Sequence, residues 1–206
     1  MKEKKLYLVT DRYDYSDEKF LFYIEEACKA GVSLVQLREK EISDRDLLSL
    51  AIKVKKITDK YSIPLIIDDR LDVAMILQCG LHLGQSDIPV YLARKYLGDK
   101  AIIGASAKTL NQGIAAEKEG ADYLGIGAIY PTTTKVITKI TSTDTLREII
   151  SHVNIPCYAI GGLKADNLNV LNSLNIEGIC VVSAIMKSNS PYQTTLTILE
   201  ELKKLK

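Results

Sequence analysis

The sequence predicts an α/β protein built as a closed barrel of eight βα repeats, and three observations predict it. Eight short apolar runs recur along the chain, with helical or mixed segments between them throughout. The runs are nearly continuous in apolar character rather than alternating, which means burial on both faces, as in a parallel sheet covered by helices. Most end on a charged, small or glycine residue. Repeats of this kind close naturally into a single-domain (β/α)8 TIM barrel. A doubly wound open sheet is the alternative, but no G-x-G-x-x-G opens a helix after the first run.

Lys5-Leu6-Tyr7-Leu8-Val9-Thr10-Asp11 is the first strand. Ser16-Asp17-Glu18 then reads as a helix cap with acids in the first turn, and Phe20, Tyr23, Ile24, Ala27 and Cys28 repeat at helical spacing until Gly31. The second unit has Leu34 to Lys40 as strand, Ser43-Asp44 as cap and Leu47, Leu50, Ala51, Val54 and Ile57 as the buried helix stripe. The third runs from Pro64 to Asp69, followed by Leu71, Val73, Ala74 and Leu77. The remaining strands read as 81–85, 101–106, 123–129, 157–162 and 179–183. No composition shift marks a boundary, so residues 1–206 are expected to form one domain.

The chain has 206 residues, 47% hydrophobic and 26% charged, and its 27 basic and 26 acidic residues leave a net charge of +1. No basic tail or like-charge block points to nucleic acid or an anionic membrane surface, so any anion specificity must be local. No window approaches a membrane span, and Met-Lys-Glu-Lys-Lys runs straight into a strand rather than a signal-peptide core. The protein therefore reads as cytoplasmic, with a homo-oligomer left open. Cys28, Cys79, Cys157 and Cys180 form no C-x-x-C pair and read as buried free thiols. His82 and His152 cannot build a metal cage without distant partners.

In such a barrel the strand ends converge on one mouth. That mouth would hold Gln36, Arg38 and Lys40 from strand two, Asp68, Asp69 and Arg70 from strand three, Gln85 and Asp87 from strand four and Ser106 from strand five. Strand six would supply Thr132, Thr133, Thr134 and Lys135, strand seven Gly161 and Gly162, and strand eight Val182 and Ser183. Asp69 and Asp87 end adjacent strands and could share one Mg²⁺, which takes one or two carboxylates plus phosphate oxygens. Arg38, Lys40 and Lys135 around them are too much positive charge for a bare divalent site and suit a metal–pyrophosphate. Gly161-Gly162 either lets backbone amides approach an anion or serves tight packing.

Several ordered motifs together carry a resemblance. They are Gln36-Leu37-Arg38-Glu39-Lys40, Asp68-Asp69, Gly80 to Asp87, Gly104-Ala105-Ser106-Ala107, Pro131-Thr132-Thr133-Thr134-Lys135, Ala159 to Gly162 and Val182 to Ile185. Over nearly its whole length the chain resembles the thiamine phosphate synthase family, in the thiamine synthase/thiazole tautomerase superfamily. The resemblance implies a Mg²⁺-dependent transferase of thiamine biosynthesis that joins hydroxymethylpyrimidine pyrophosphate to thiazole phosphate and releases pyrophosphate. It implies that Gln36, Leu37, Arg38, Glu39, Lys40, Asp68 and Ser106 bind the pyrimidine pyrophosphate, and that Asp69 and Asp87 hold the metal. It further implies that Thr132, Thr133, Thr134, Gly162, Val182 and Ser183 receive the thiazole phosphate and that Lys135 touches the pyrophosphate end. Lys135, Ser106, Arg38 and Lys40 would carry catalysis.

The chain departs from that family at four places: Asp68 stands where asparagine is usual, Lys108 where histidine is common, Ala128 where proline is common, and Val136-Ile137-Thr138-Lys139 lacks the usual acidic and glycine residues. An ionised Asp68 beside a pyrophosphate would be costly: at an effective dielectric of about 20, a charge pair about 4 Å apart is worth roughly 4 kcal/mol before screening. Asp68 is therefore expected to be offset by Mg²⁺ or by Arg70 or Lys40. The alternatives are a thiazole tautomerase, disfavoured by Lys108 because proton shuffling wants a group titrating near neutrality, and a non-catalytic binder of thiamine precursors.

Overall fold

The computed structural model describes residues 3–131 and 140–206. Eight strands, β1 (Lys5–Val9), β2 (Leu34–Leu37), β3 (Leu65–Asp68), β4 (Gly80–Leu83), β5 (Ile103–Ala107), β6 (Tyr123–Gly127), β7 (Cys157–Ile160) and β8 (Gly178–Val181), pair in sequence order into a closed parallel barrel. The helices are α1 (Asp17–Ala30), α2 (Asp44–Lys60), α3 (Leu71–Leu77), α4 (Val90–Leu97), α5 (Leu110–Lys118), α6 (Thr143–His152), α7 (Ser183–Met186) and α8 (Pro191–Lys204), and a 3-10 helix at Ala165–Leu171 fills the β7–β8 connection. None of the described helices is long and apolar enough to cross a membrane.

Helix starts are set by local chemistry. The hydroxyls of Ser16, Ser43, Thr109 and Ser142 accept from the backbone N–H groups of Lys19, Asp46, Gln112 and Thr145, satisfying donors that a first turn leaves open. The stripe of α2 is rotated slightly from expectation, since Thr58 is buried where Ile57 is half-buried. Thr58 can sit there because its hydroxyl donates to the Lys55 carbonyl.

Each strand has two faces, and both are covered. Leu6, Leu8, Val35, Leu37, Ile67 and Leu81 face the helices in a continuous apolar layer. Tyr7, Val9, Leu34, Ile66, Tyr123, Tyr158 and Cys180 fill the barrel interior. The two-residue period of a strand separates these sets, which is why the runs look apolar throughout. The strands end earlier than the sequence patterns suggest. β2 stops at Leu37, leaving Arg38 to Lys40 in the loop, and β8 stops at Val181, so that Val182 caps α7 and Ser183 is its first residue.

Closure depends on β1 pairing with β8 in the register Lys5↔Gly178, Leu6↔Ile179, Tyr7↔Cys180 and Leu8↔Val181. A Cβ added at Gly178 would overlap the Lys5 carbonyl oxygen, a backbone atom that cannot swing aside. Gly178→Ala should therefore cost at least about 3 kcal/mol, the upper part of the overpacking range, as measured by urea unfolding. Wild-type stability in that variant would mean that the β1–β8 seam tolerates separation.

Candidate active site

The C-terminal ends of the strands open on a cavity of about 680 Å³, within the usual size range for small-molecule sites. It is lined by Gln36, Arg38, Lys40, Asp68, Asp69, Gln85, Asp87, Ser106, Gly161, Gly162, Val182 and Ser183, among others. Leu37 and Glu39, expected with them, are turned elsewhere. Leu37 follows inward-facing Gln36 on the strand and packs under the helices with 1% exposure. Glu39 is half-buried away from the cavity lining, and its carboxyl is raised above its ordinary value by burial, an effect opposed by the charge of Arg12. Thr132, Thr133, Thr134 and Lys135 lie outside the described residues.

The charged side of the mouth is built on two tight strand ends. After Asp68, residue Asp69 adopts a left-handed backbone (φ 61°), its N–H donates to the His82 carbonyl, and the Arg70 N–H returns to the Asp68 carbonyl. This break in the strand alternation lets two successive carboxylates face the mouth; aspartate tolerates the conformation better than most residues. At the end of β4, Asp87 Oδ2 accepts the Gly84 N–H at 2.6 Å. Arg38 is held beside the acids, its backbone N–H donating at 3.0 Å to the hydroxyl of fully buried Thr10.

Lys40 bridges the acids. Its Nζ lies 2.9 Å from Asp68 Oδ2 and pairs closely with Asp69, while Arg38 Nε is 3.8 Å from the same Asp68 oxygen. Burial acts to lower the Lys40 ammonium, but its hydrogen bond to Asp69 and the charge of Asp68 raise it above its ordinary value. Asp68 is thus offset by Lys40, one of the two basic neighbours expected. Arg70 is directed away, to Asp44 and Asp72 at 2.8 and 2.6 Å. The Asp87 carboxyl is raised by burial and then by a side-chain hydrogen bond to Asp69. Two neighbouring carboxyls, one raised by the other, are a donor set a divalent cation fits, because a cation relieves their mutual repulsion. Among the described residues no group of three or more His, Cys, Asp or Glu is arranged as a metal cage. A magnesium-type site does not need one, since waters and phosphate oxygens complete it.

The floor of the cavity is polar in a way that the sequence patterns did not reveal. Gln36 Nε2 donates to Tyr7 Oη at 2.8 Å, Tyr7 meets Tyr123 Oη at 2.8 Å, Tyr123 meets His82 Nδ1 at 3.0 Å, and His82 Nε2 meets Ser106 Oγ at 2.9 Å. His82 carried a signal: a polar side chain inside an apolar strand, two residues before Gly84, must find a buried partner. Cys180 also lines the cavity, and burial raises its thiol well above the ordinary range, which leaves it unreactive.

On the far side, Gly161 (φ 105°) and Gly162 (φ 65°) support the turn after β6. A Cβ on Gly161 would lie 2.5 Å from Ala128 Cβ, and one on Gly162 2.7 Å from Tyr130 Cβ. Ile129 and Tyr130 N–H groups donate to the Ile160 and Gly161 carbonyls at 3.0 Å. Close packing therefore accounts for both glycines, which also border the cavity. Lys108 lines the cavity too, its N–H held by Gln112 Oε1 at 2.8 Å.

The Asp68 pairing has a measurable consequence. Asp68 is only 7% exposed in its side chain, so Lys40→Met leaves a buried carboxylate with Arg38 alone and should cost about 1–3 kcal/mol in urea unfolding. Asp68→Asn removes that charge and should cost less than Lys40→Met. The reverse order would show that Lys40 does not compensate Asp68.

Residues 6–185 match the family model described as thiamine monophosphate synthase. A thiamine-phosphate synthase of Enterococcus faecalis is 54% identical over 188 residues, 90% of this chain and 89% of the relative. Thiamine-phosphate synthase 2 of Streptococcus pneumoniae is 48% identical over 199 residues, 96% of this chain and 95% of the relative. Among solved structures, a thiamine phosphate pyrophosphorylase from Pyrococcus furiosus superposes with TM-score 0.87 at 32% identity, covering 98% of this chain and 97% of that one. A 3-hexulose-6-phosphate synthase from Salmonella typhimurium has TM-score 0.72 at 15% identity over 98% of this chain and 100% of its own, which reflects the barrel fold alone. With a family model spanning most of the barrel and relatives matched nearly end to end, the chain belongs to the thiamine monophosphate synthase family.

Proposed function

We propose that this chain, folded as one domain, is a thiamine-phosphate synthase that joins hydroxymethylpyrimidine pyrophosphate to thiazole phosphate and releases pyrophosphate with Mg²⁺. The observation that carries it, beside family membership, is the meeting of Arg38 and Lys40 with the Asp69–Asp87 pair at one side of the cavity. In the reaction the C–O bond between the pyrimidine methylene and the pyrophosphate breaks, its electron pair leaving with oxygen. The thiazole nitrogen then donates its lone pair to the methylene carbon, forming the new C–N bond. The main demand is stabilisation of a highly charged leaving group. Arg38 and Lys40 meet that demand as cations at the mouth, Lys135 is assigned beside them from the family resemblance alone, and no covalent nucleophile is required. Asp69 and Asp87 would hold the metal, which when bound supplies Lewis-acid neutralisation of phosphate oxygens.

Gln36 and Ser106 bind the pyrimidine on the floor, Gly162, Val182 and Ser183 of the cavity lining receive the thiazole phosphate, and the resemblance assigns Thr132, Thr133 and Thr134 to the same phosphate. Anchoring the acceptor this way makes attack effectively unimolecular. Compensation of Asp68 by Lys40 favours catalysis over mere binding, since the charge that would repel a pyrophosphate already has a partner. Lys40 is also the group best placed to exchange a carboxylate for the incoming pyrophosphate.

A coupled assay with both substrates and Mg²⁺ tests the activity directly, and absence of thiamine phosphate would refute it. Asp87→Ala should abolish Mg²⁺-dependent turnover while circular dichroism and thermal unfolding remain close to wild type. Turnover that survives in Asp87→Ala and ignores chelator would remove Asp69 and Asp87 as ligands. Asp68→Asn should bind pyrophosphate with a reduced requirement for Mg²⁺. A many-fold tighter affinity at every Mg²⁺ concentration would instead mean that Asp68 is uncompensated.

A further inference from the structure

Five polar side chains from five strands form one unbroken line across the cavity floor: Gln36 of β2, Tyr7 of β1, Tyr123 of β6, His82 of β4 and Ser106 of β5. Each hydroxyl has one hydrogen to give and an oxygen that can receive, so a group that receives from one side of the line finds an acceptor for its own hydrogen on the other. Gln36 Nε2 donates to Tyr7, which leaves the Tyr7 hydrogen for Tyr123. Every group in the line is satisfied when Tyr123 donates to His82 Nδ1 and the ring, in the tautomer with its hydrogen on Nε2, donates to Ser106 Oγ. The Ser106 hydroxyl, having accepted from His82, turns its own hydrogen to the cavity it lines.

The seats of the two central rings are built into the strands. A Cβ on Gly104 would overlap the phenol end of Tyr123, and one on Gly125 would come within 3.3 Å of His82 Cε1. Tyr7 and Tyr123 are 1% and 3% exposed, and burial, the largest influence on each, raises both phenols well above their ordinary value. Both hydroxyls therefore keep their hydrogens and pass on polarity rather than charge.

We propose that Tyr7, Tyr123 and His82 are positioning residues that tie the amide orientation of Gln36 to the hydroxyl orientation of Ser106, so that the two ends of the floor present donor and acceptor to a nitrogen heterocycle as a matched pair. With the line running from Gln36 to Ser106, Ser106 offers a hydrogen to a ring nitrogen. With the line reversed, Ser106 gives its hydrogen to His82 and offers lone pairs instead. A heterocycle whose donor and acceptor edges mismatch this pairing would leave a buried polar group unsatisfied, which is the strongest form of small-ligand discrimination. The assignment of that heterocycle as the pyrimidine rests on the synthase reading; the coupling within the protein does not.

The test uses ¹⁵N-labelled full-length protein without substrate. The chain has two histidines, and His152 is exposed, so long-range ¹H–¹⁵N correlation at about pH 8 reads the His82 tautomer directly. Wild type should show a neutral ring with hydrogen on Nε2. Gln36→Glu replaces the donor by an ionised, acceptor-only carboxylate, and should move the hydrogen to Nδ1. Gln36→Glu with Tyr123→Phe should match Tyr123→Phe alone, because the line is cut. The same tautomer in wild type and Gln36→Glu, a doubly protonated wild-type ring, or transmission surviving Tyr123→Phe would each overturn the proposal. Should Gln36→Glu fail to fold, Tyr7→Phe keeps the ring and loses one hydroxyl; it should turn the single tautomer into a mixture, and a retained single tautomer overturns the coupling. In the two-substrate assay Tyr123→Phe should lower kcat about tenfold with the KM for thiazole phosphate unchanged. Unchanged kcat overturns the positioning role, whereas an inactive wild type refutes the synthase reading and leaves the tautomer experiments to decide the relay.

Discussion

Parallel closure of the barrel is the constraint on which everything else depends. Because β1 pairs with β8 in the same direction as every other neighbour, all eight strand ends open on one side. Residues as distant as Gln36 and Ser183 can then border one cavity. Closure also forces a layer of interior side chains to meet. Tyr7, Tyr123 and Tyr158 pack edge-to-face with centroids 5.6–5.8 Å apart, filling the barrel beneath the cavity. Tyrosine suits this level because its ring fills apolar space while two of the hydroxyls join the polar floor above.

Two electrostatic regimes share the mouth. At the rim, Lys40 is divided between Asp68 and Asp69, and Asp87 rests against a backbone N–H and a second carboxyl. Such a cluster is well satisfied without being saturated, so an anion and its counter-cation can enter by exchanging partners rather than by uncovering bare charge. On the floor the two phenols keep their hydrogens, and order is kept by hydrogen-bond direction. The thiols stand apart from both regimes: burial pushes Cys28 and Cys157 up to about 12 and Cys79 to about 11. Their role is packing.

The departure at Asp68 illustrates how one substitution is absorbed. A carboxylate there is tolerable because Lys40 reaches it from the loop after β2, and that loop exists because β2 ends at Leu37. Arg70, the nearer residue in sequence, is already engaged by Asp44 and Asp72. Proximity along the chain was therefore a poor guide to pairing, whereas convergence of strand ends was a good one.

The sequence by itself determined the barrel, the order of its repeats, the caps of α1 and α2 and many of the polar residues that line the cavity. Strand burial, capping chemistry and the position of a residue at a strand end are local properties, legible as apolar runs, serines before helices and charges after strands. Tertiary structure alone decided which side chains touch. Leu37 and Glu39 belong to the same motif as Gln36, yet the strand period and its early end turn them away from the cavity. Tyr7, His82 and Tyr123 looked like parts of apolar strands, and their polar ends acquired meaning only when β1, β4 and β6 faced each other across the barrel interior. The physical reason is that hydrogen-bond partners joined through space, here up to 116 residues apart in the chain, leave no periodic trace in either segment.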